Sequence, residues 1–547
     1  MSATPALRIM SSTRESELAG FAAMSARRLF LLGGIALILV GMVFGDIFAV
    51  FTLHQNAAQV GTNLAAAAQA ALAGDRRAAL VNFQNVGAFL ENRGTKVDTH
   101  VHMIDFGYLA LLLAILQPWV GLTENSKKRI AWFFLAGAWV LPIGVYLIHY
   151  VGLARSPLKT IGWASIAADF GGLFVLLATL ACLFGLSKHF HRGLASPTDK
   201  LLADRSTEGR MLFAGGIALV LLGFFHGAYY AAVDLYRHEA QDFSLLAQIS
   251  AGAAAGAQVV VNNALTGYGQ LQGAKAVNIA AHAHSIEFGL LAIMMAFFQP
   301  YVSLRANWKR RWAGALLLGS LLLPVCVLLE IKYGLIAGGL ADFAGLLIIF
   351  ALLAMWIGIL QYTGELDASV RPTAEPGSPA MSGSRRLLII GGIALAVWGM
   401  SYGLWYAVFA EHQALDNLGA SLAGSFAAAA DRNPAIMETC LEQYREGKYI
   451  YDRQVDVHGH WIGLAMLLIV LGIGFDRVNF SERLKLFLGL GLLLGAVIFP
   501  LGVLLQTMTH GPLPRAIAIA GSAFVIAGLL GSAVGVAVRG SSNASLG

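Results

Sequence analysis

The chain is poor in charged residues and in cysteine, and both shortages narrow what it can be. Only 12% of its 547 residues are Asp, Glu, Lys or Arg, whereas soluble domains carry about 25%. The three cysteines, Cys182, Cys326 and Cys440, lie far apart, which excludes a disulfide framework and a thiolate metal site. No lysine and hydroxyl residue follow the glycine-rich segments in the spacing of a phosphate-binding loop, so a P-loop nucleotide site is excluded as well.

What the chain has in abundance is apolar sequence. Hydrophobic residues make up 57% of it, and its mean hydropathy of +0.68 is typical of an integral membrane protein. Windows of about 20 apolar residues, long enough to cross about 30 Å of hydrocarbon as a helix, recur along the chain. They predict an all-α, multi-pass protein with about twelve transmembrane helices, near 28–53, 101–122, 130–153, 163–187, 211–236, 283–304, 312–335, 340–361, 386–410, 460–475, 485–508 and 516–538.

Charge predicts the orientation of these helices. The first 27 residues lack the features of a secretory signal, so we expect the first helix to be retained. The basic segments 126–129, 307–311 and 477–485 fall on one side together with Arg27–Arg28 and Arg385–Arg386, which predicts cytoplasmic termini in the inner (cytoplasmic) membrane. The net charge of +6 therefore reflects anchoring at helix ends, and nucleic acid is not expected as a partner.

The sequence repeats itself three times. The string GGIAL begins at Gly33, Gly215 and Gly391, and the same offsets of 182 and 176 residues relate His100 to His282 and His458. Each repeat reads as a first helix, an alanine-rich outer segment that we expect to be helical and to pack as a cap, a helix with His-x-His, a proline-bearing helix and a fourth helix. The predicted division is a cytoplasmic tail at 1–27, four-helix repeats at 28–192, 210–362 and 385–547, and linkers at 193–209 and 363–384.

Histidines follow this repeat, and they are the main candidates for a functional site. Ionisable side chains within membrane spans are costly and usually mark a site. Nine of the fourteen histidines occupy places that the repeat indicates to be equivalent in the three units. The candidate cofactor ligands are His100, His102, His282, His284, His458 and His460, and the outer candidates for a metal site or for partners of haem propionates are His54, His238 and His412.

The spacing of the His-x-His pairs leaves two geometries open. On a helix, residues i and i+2 point about 200° apart, so the two imidazoles face two different neighbours. In an extended strand they would share one face, which would suit a single copper or zinc ion. Asp98, Asn278 and Asp456 are candidate helix caps that would leave the pair partly outside the helix.

The strings THVHMIDFG, AHAHSIEFG and DVHGHWIGL resemble the tenth helix of the catalytic subunit of haem-copper oxidases and nitric oxide reductases. In that family the His-x-His of this helix holds one haem on each face, and twelve helices form three four-helix arcs. The resemblance implies b-type haem, a quinol or cytochrome electron donor and a small gas such as NO or O2 as substrate. The family's second metal centre uses a histidine pair in helix seven, but the corresponding stretch WAGALLLGSLLLPVCVLLEIKYGL contains no histidine. The resemblance therefore implies haem binding without that copper or iron centre.

Several acids complete the list of candidates. Asp105 and Glu287 follow the second histidine of their pairs by three residues, where a carboxylate can orient an imidazole or pass protons. Glu330, in the third helix of the second unit, is a further candidate for proton transfer. Asp169 and Asp342, in the shared string ADF, are expected to cap the fourth helices.

These observations favour a haem-bearing membrane redox protein. If the three units surround an axis, the three His-x-His helices leave three gaps, each flanked by one histidine from either side, so up to three haems are expected. A non-haem copper or zinc protein is the first alternative. A transporter is the second, because internal repeats and intramembrane acids also occur in that class.

Overall fold

A computed structural model describes residues 24–151, 162–191, 206–362 and 381–542, and this part of the chain contains helices and turns but no β-strand. Twelve of its helices are long and apolar enough to cross a membrane, which confirms the all-α, multi-pass fold class. These helices are α1 Ala26–Leu72, α2 Arg76–Leu116, α3 Glu124–Val151, α4 Ala164–His191, α5 Thr207–Ala254, α6 Gln258–Phe298, α7 Ala306–Tyr333, α8 Leu335–Leu360, α9 Gly383–Ala430, α10 Pro434–Gly474, α11 Glu482–Leu505 and α12 Pro512–Ser542. The predicted tail and linkers lie largely outside the described residues.

The same helix lengths recur in each unit. The first helices have 47, 48 and 48 residues, and the second helices have 41 residues each. Ser25, Ser206 and Ser382 begin the three first helices by accepting a hydrogen bond from a backbone N–H three residues later, which satisfies one of the unpaired donors of a helix end. Each unit therefore starts with the same local signal.

Each first helix continues well beyond the predicted membrane span. A π-helical turn interrupts α1 at Phe48–Leu53, α5 at Tyr230–Asp234 and α9 at Ala407–Glu411, and the helix then runs on. The predicted spans end near residues 53, 236 and 410, but the helices continue into the outer alanine-rich segments, which are helical as expected. Hydropathy detects the change from apolar to polar surroundings, whereas the helix persists because alanine-rich segments keep a high helix propensity.

The outer halves of α1, α2, α5, α6, α9 and α10 form a cap with its own apolar core. Leu64, Phe83, Ile249, Val261 and Phe426, drawn from all three units, are each at most 4% exposed in this core. Alanines fill much of the remaining space and allow the helices to approach closely. The cap therefore couples the three units above the membrane-spanning part.

The three second helices, α2, α6 and α10, stand at the centre, and the units close into a ring around them. Tyr108 donates a hydrogen bond from α2 to the Gly463 carbonyl of α10 at 2.8 Å. At the ring closure, Ser522 of α12 donates to the Asp46 carboxylate of α1 at 2.6 Å. The chain thus brings its last unit against its first.

The proposed helix caps are wrong. Asp98, Asn278 and Asp456 lie inside the uninterrupted second helices, and Asp169 and Asp342 lie inside α4 and α8. The His-x-His pairs are therefore fully helical, and the extended alternative for them is excluded. The second helices begin far outside the hydrophobic window, so an acid at the edge of that window is an interior residue. The helices α4 and α8 begin at Ala164 and Leu335, a turn or more before Asp169 and Asp342.

Candidate functional site

The first histidine of each pair is fixed to the first helix of its own unit. The Nδ1 atoms of His100, His282 and His458 lie 2.7, 2.8 and 3.0 Å from the carbonyl oxygens of Gly41, Gly223 and Gly399, respectively. A carbonyl oxygen only accepts hydrogen bonds, so Nδ1 carries the proton and Nε2 keeps its lone pair. This arrangement, in which a backbone carbonyl orients the ring, is the usual support of a metal-binding histidine.

Glycine makes this contact possible. A Cβ atom added at Gly45, Gly227 or Gly403 would lie 2.4, 2.3 or 2.2 Å from the Cε1 atom of the imidazole in its unit. No side chain fits there, and the three imidazoles lie directly against the helix backbone. The repeated glycines of the first helices are thus part of the site.

The second histidine of each pair uses its own helix. His102 and His460 donate from Nδ1 to the carbonyl oxygens of Asp98 and Asp456, at 2.6 and 2.5 Å. His284 faces the Ala280 carbonyl in the same way, but without reaching hydrogen-bonding geometry. In His102 and His460, Nε2 is again the nitrogen left with a lone pair.

The six imidazoles form three pairs, each joining two neighbouring units. The ring centroids of His100 and His460 lie 6.5 Å apart, and those of His284 and His458 also lie 6.5 Å apart. His102 and His282 interact electrostatically as the third pair. In two gaps the first histidine of one unit therefore faces the second histidine of the preceding unit, and the electrostatic interaction of His282 with His102 follows the same order.

Open space adjoins these pairs. Val97, Val101, Ile279 and Val455 lie on the arc between the two histidines of their helices, and 37–50% of each is exposed although the helices are central. A Cβ atom at Gly459, between the third pair of histidines, would meet nothing within 4 Å. Imidazoles flanked by exposed apolar surface suit a large, mostly apolar cofactor.

The acids one turn further inward come together near the axis. Asp105 and Glu287 interact electrostatically with each other and with Tyr108. The third unit has Gly463 at the equivalent position, and its carbonyl accepts the Tyr108 hydroxyl. Two carboxyl groups and one phenol are thus collected within the bundle, one turn from the second histidines.

Glu330 lies elsewhere. It interacts with Glu411, which also lies near Asp342 and His412 at the boundary of the second and third units. Nothing in these contacts connects Glu330 with Asp105 or Glu287. Its expected part in proton transfer stays a prediction.

The outer histidines do not share one environment. His238 lies near Asp234, Asp242 and Lys275, whereas His412 lies near Asp342 and Glu411; the side chain of His54 is outside the described residues. Counted from the glycine that packs on the imidazole, His54 and His412 lie nine residues on and His238 eleven, so His238 is not strictly equivalent to the others. Across the described ranges, no three His, Cys, Asp or Glu side chains are grouped so that they could hold a metal ion.

Two residues near the imidazole pairs escaped the sequence analysis. Asp46 interacts with His460, and His226 lies with its ring centroid 6.4 Å from that of His282. Neither residue recurs in the other units, and a search guided by repeats passes over them. An ionisable residue within an apolar helix was the available signal.

No family model matches the chain, and neither a curated protein nor a solved structure is significantly similar to it. The class defined by fold and site is thus a multi-pass helical membrane protein with three interunit imidazole pairs.

Proposed function

We propose that this protein is a haem-bearing membrane redox protein in which each gap between units holds one b-type haem through two imidazoles. The pairs would be His100 with His460, His102 with His282, and His284 with His458. Such a protein moves electrons, and a quinol or a cytochrome would supply them. Reaction with a small gas such as NO or O2 is the further activity that the resemblance to haem-copper oxidases and nitric oxide reductases suggests.

The facing imidazoles carry this proposal. Metal–imidazole bonds are about 2.0 Å long, so two imidazoles on opposite sides of one metal ion have ring centroids about 6 Å apart. The observed separations of 6.5 Å are close to that value. In the pair His100–His460, both Nδ1 protons are committed to backbone carbonyls, so both Nε2 atoms keep a lone pair that can bind a cation.

The number of donors favours haem over a bare ion. Structural zinc takes four protein ligands, and catalytic zinc takes three, whereas the described residues offer no group of three candidate ligands. Haem iron needs only two axial ligands, since the porphyrin supplies the rest, and it exchanges single electrons. The exposed apolar surface at Val97, Val101 and Ile279 would contact the macrocycle.

The protein's own residues would set the conditions in each gap. The carbonyls of Gly41, Gly223 and Gly399 hold the first imidazoles in one tautomer and one orientation. The cap covers the outer side of the histidine layer. Asp105 and Glu287, with Tyr108, offer proton-exchanging groups one turn from the second histidines.

Absorption spectra of the purified protein, oxidised and dithionite-reduced, together with iron and copper analysis, test the proposal. We expect a Soret band, reduced α-bands and up to three irons per chain. Copper or zinc without these bands would contradict the proposal and support the metal-ion alternative. Absence of both would contradict it and leave the transporter. For substitutions of the paired histidines, His510→Ala is the matched control and should keep the full spectrum. His510 is half exposed and pairs with Glu446, away from the imidazole pairs.

A further inference from the structure

His226 occupies a position at which the three units differ. The equivalent residues are Phe44 in the first unit and Tyr402 in the third. Phe44 packs edge-on against Tyr146 with ring centroids 5.8 Å apart, and Tyr402 packs against Trp461 at 5.3 Å. Aromatic packing closes this position in two units, whereas the second unit places an imidazole there.

The surroundings of His226 differ in the same sense. In the first unit, Lys96 lies over the rings of Tyr146 and Tyr150. The corresponding residues of the second unit are Asn278, Leu328 and Lys332, which are not aromatic. The second unit therefore lacks the tyrosines that pack around this position in the first unit.

Hydrogen bonding determines which nitrogen of His226 accepts. Asn278 donates from Nδ2 to the Ala274 carbonyl at 2.9 Å, so its Oδ1 atom is the acceptor that faces His226 Nε2 at 3.3 Å. His226 Nε2 therefore carries the proton, and Nδ1 has a lone pair. In the part of the chain that the structure describes, no group donates to this Nδ1 atom.

We propose that His226, oriented by Asn278, binds the hydroxyl group of a membrane-soluble hydroquinone. An acceptor nitrogen pairs with a ligand that carries an O–H or N–H donor, which excludes NO, O2 and CO as its partners. Leu222, Phe225 and Tyr229 lie on the adjoining face of α5 and are 45%, 56% and 54% exposed, so an aromatic ligand arriving from the lipid finds an apolar approach.

The position of His226 connects this site with the imidazole pairs. Its ring lies 6.4 Å from that of His282, centroid to centroid, and His282 pairs with His102. A hydroquinone bound here would lie next to the gap that His102 and His282 flank. The inference rests on the proposed function, because the bound hydroquinone would be the electron donor of that redox protein.

Calorimetric titration of the purified full-length protein with a short-chain benzohydroquinone tests the inference, with its dimethyl ether as the matched ligand without hydroxyl groups. We expect His226→Phe, which introduces the residue of the first unit, to weaken hydroquinone binding about tenfold, the loss that accompanies one hydrogen bond. Binding of the ether should be weak and equal in both proteins. His226→Gln, which retains an acceptor, should recover part of the affinity, and Tyr402→Phe should change nothing.

Equal hydroquinone affinity of the wild type and His226→Phe would overturn the inference, as would equally tight binding of the ether by the wild type. Haem content measured on the same samples separates the two proposals. Haem without any effect of His226→Phe removes the hydroquinone site alone. Binding that depends on His226 in a protein without haem removes the redox function and leaves the site.

Discussion

At the scale of single residues, three glycines decide whether the imidazoles can reach their positions. Gly403→Ala should displace His458, because the added methyl carbon would lie 2.2 Å from Cε1 of that ring. Overpacking of this kind costs about 1–3 kcal/mol. We expect the variant to lose the same spectral component that His458→Ala loses, measured as the reduced α-band. Gly419→Ala, in the same helix, meets nothing within 4 Å and should retain the full spectrum.

The two acids Asp105 and Glu287 permit a second prediction at this scale. Asp105→Asn and Glu287→Gln should leave haem content largely intact, because the proposed iron ligands are the paired histidines and not these acids. Both should shift a midpoint potential or the pH dependence of turnover, since each removes a potential charge one turn from a second histidine. Potentiometric titration of the reduced bands measures this. If either amide variant lost haem outright, the acid would be a ligand or a folding residue.

At the scale of helices, the first and second helices of each unit extend far beyond a bilayer. A helix of 47 residues is about 70 Å long, and only about 30 Å of that lies in hydrocarbon. The excess forms the cap, and because the cap has one apolar core the outer halves of all six helices lie on one side of the membrane. The charge bias predicts that this is the outer side.

Cysteine labelling tests that orientation. Arg77, in the cap, and Arg129, at the start of α3, are both exposed. On a Cys440→Ser background, Arg77→Cys should react with an impermeant maleimide on intact cells, whereas Arg129→Cys should react only after permeabilisation. Cys182 and Cys326 are buried and provide a low background. The opposite pattern would reverse the topology.

The sequence predicted much of the architecture because repetition and hydropathy are both linear signals. The offsets linking His100, His282 and His458 identified the units, and the His-x-His spacing indicated that each pair faces two neighbours. The order of pairing was not predictable, since it depends on how α10 packs against α2 in space. His226 and Asp46 could not be predicted from the repeat, because the equivalent positions of the other units hold different residues.

At the scale of the whole molecule, Arg432 joins the three units at the tip of the cap. It donates to the carbonyls of Ala71 and Leu72 in the first unit and of Ala254 in the second, the last at 2.9 Å. Its φ of 59° is in the left-handed region, where the other two units have Gly74 and Gly256. The hydrogen bonds thus stabilise a backbone conformation that costs roughly 1–2 kcal/mol for a residue with a side chain.

Replacing Arg432 tests whether these bonds hold the cap together. Arg432→Gly relieves the backbone but removes three hydrogen bonds from a charged donor, each contributing about 1.5–3 kcal/mol. We expect net destabilisation of a few kcal/mol, seen as a lower midpoint of thermal unfolding. Gly256→Ala, which adds strain and removes no bond, should cost only about 1–2 kcal/mol. An unchanged midpoint in Arg432→Gly would show that apolar packing alone holds the cap.

The ring of imidazole pairs also leads to a prediction about the whole molecule, because each haem should depend on histidines from two units. His284→Ala and His458→Ala should remove or convert the same haem, since these two rings face each other with centroids 6.5 Å apart. The double variant should then lose no more haem than either single variant.

His284→Ala combined with His102→Ala should affect two haems, because His102 pairs with His282 and not with His284. Reduced-minus-oxidised spectra and iron content of the four proteins provide the measurement. Additive losses for His284 and His458, or a shared loss for His284 and His102, would mean that the pairs do not run from unit to unit around the ring.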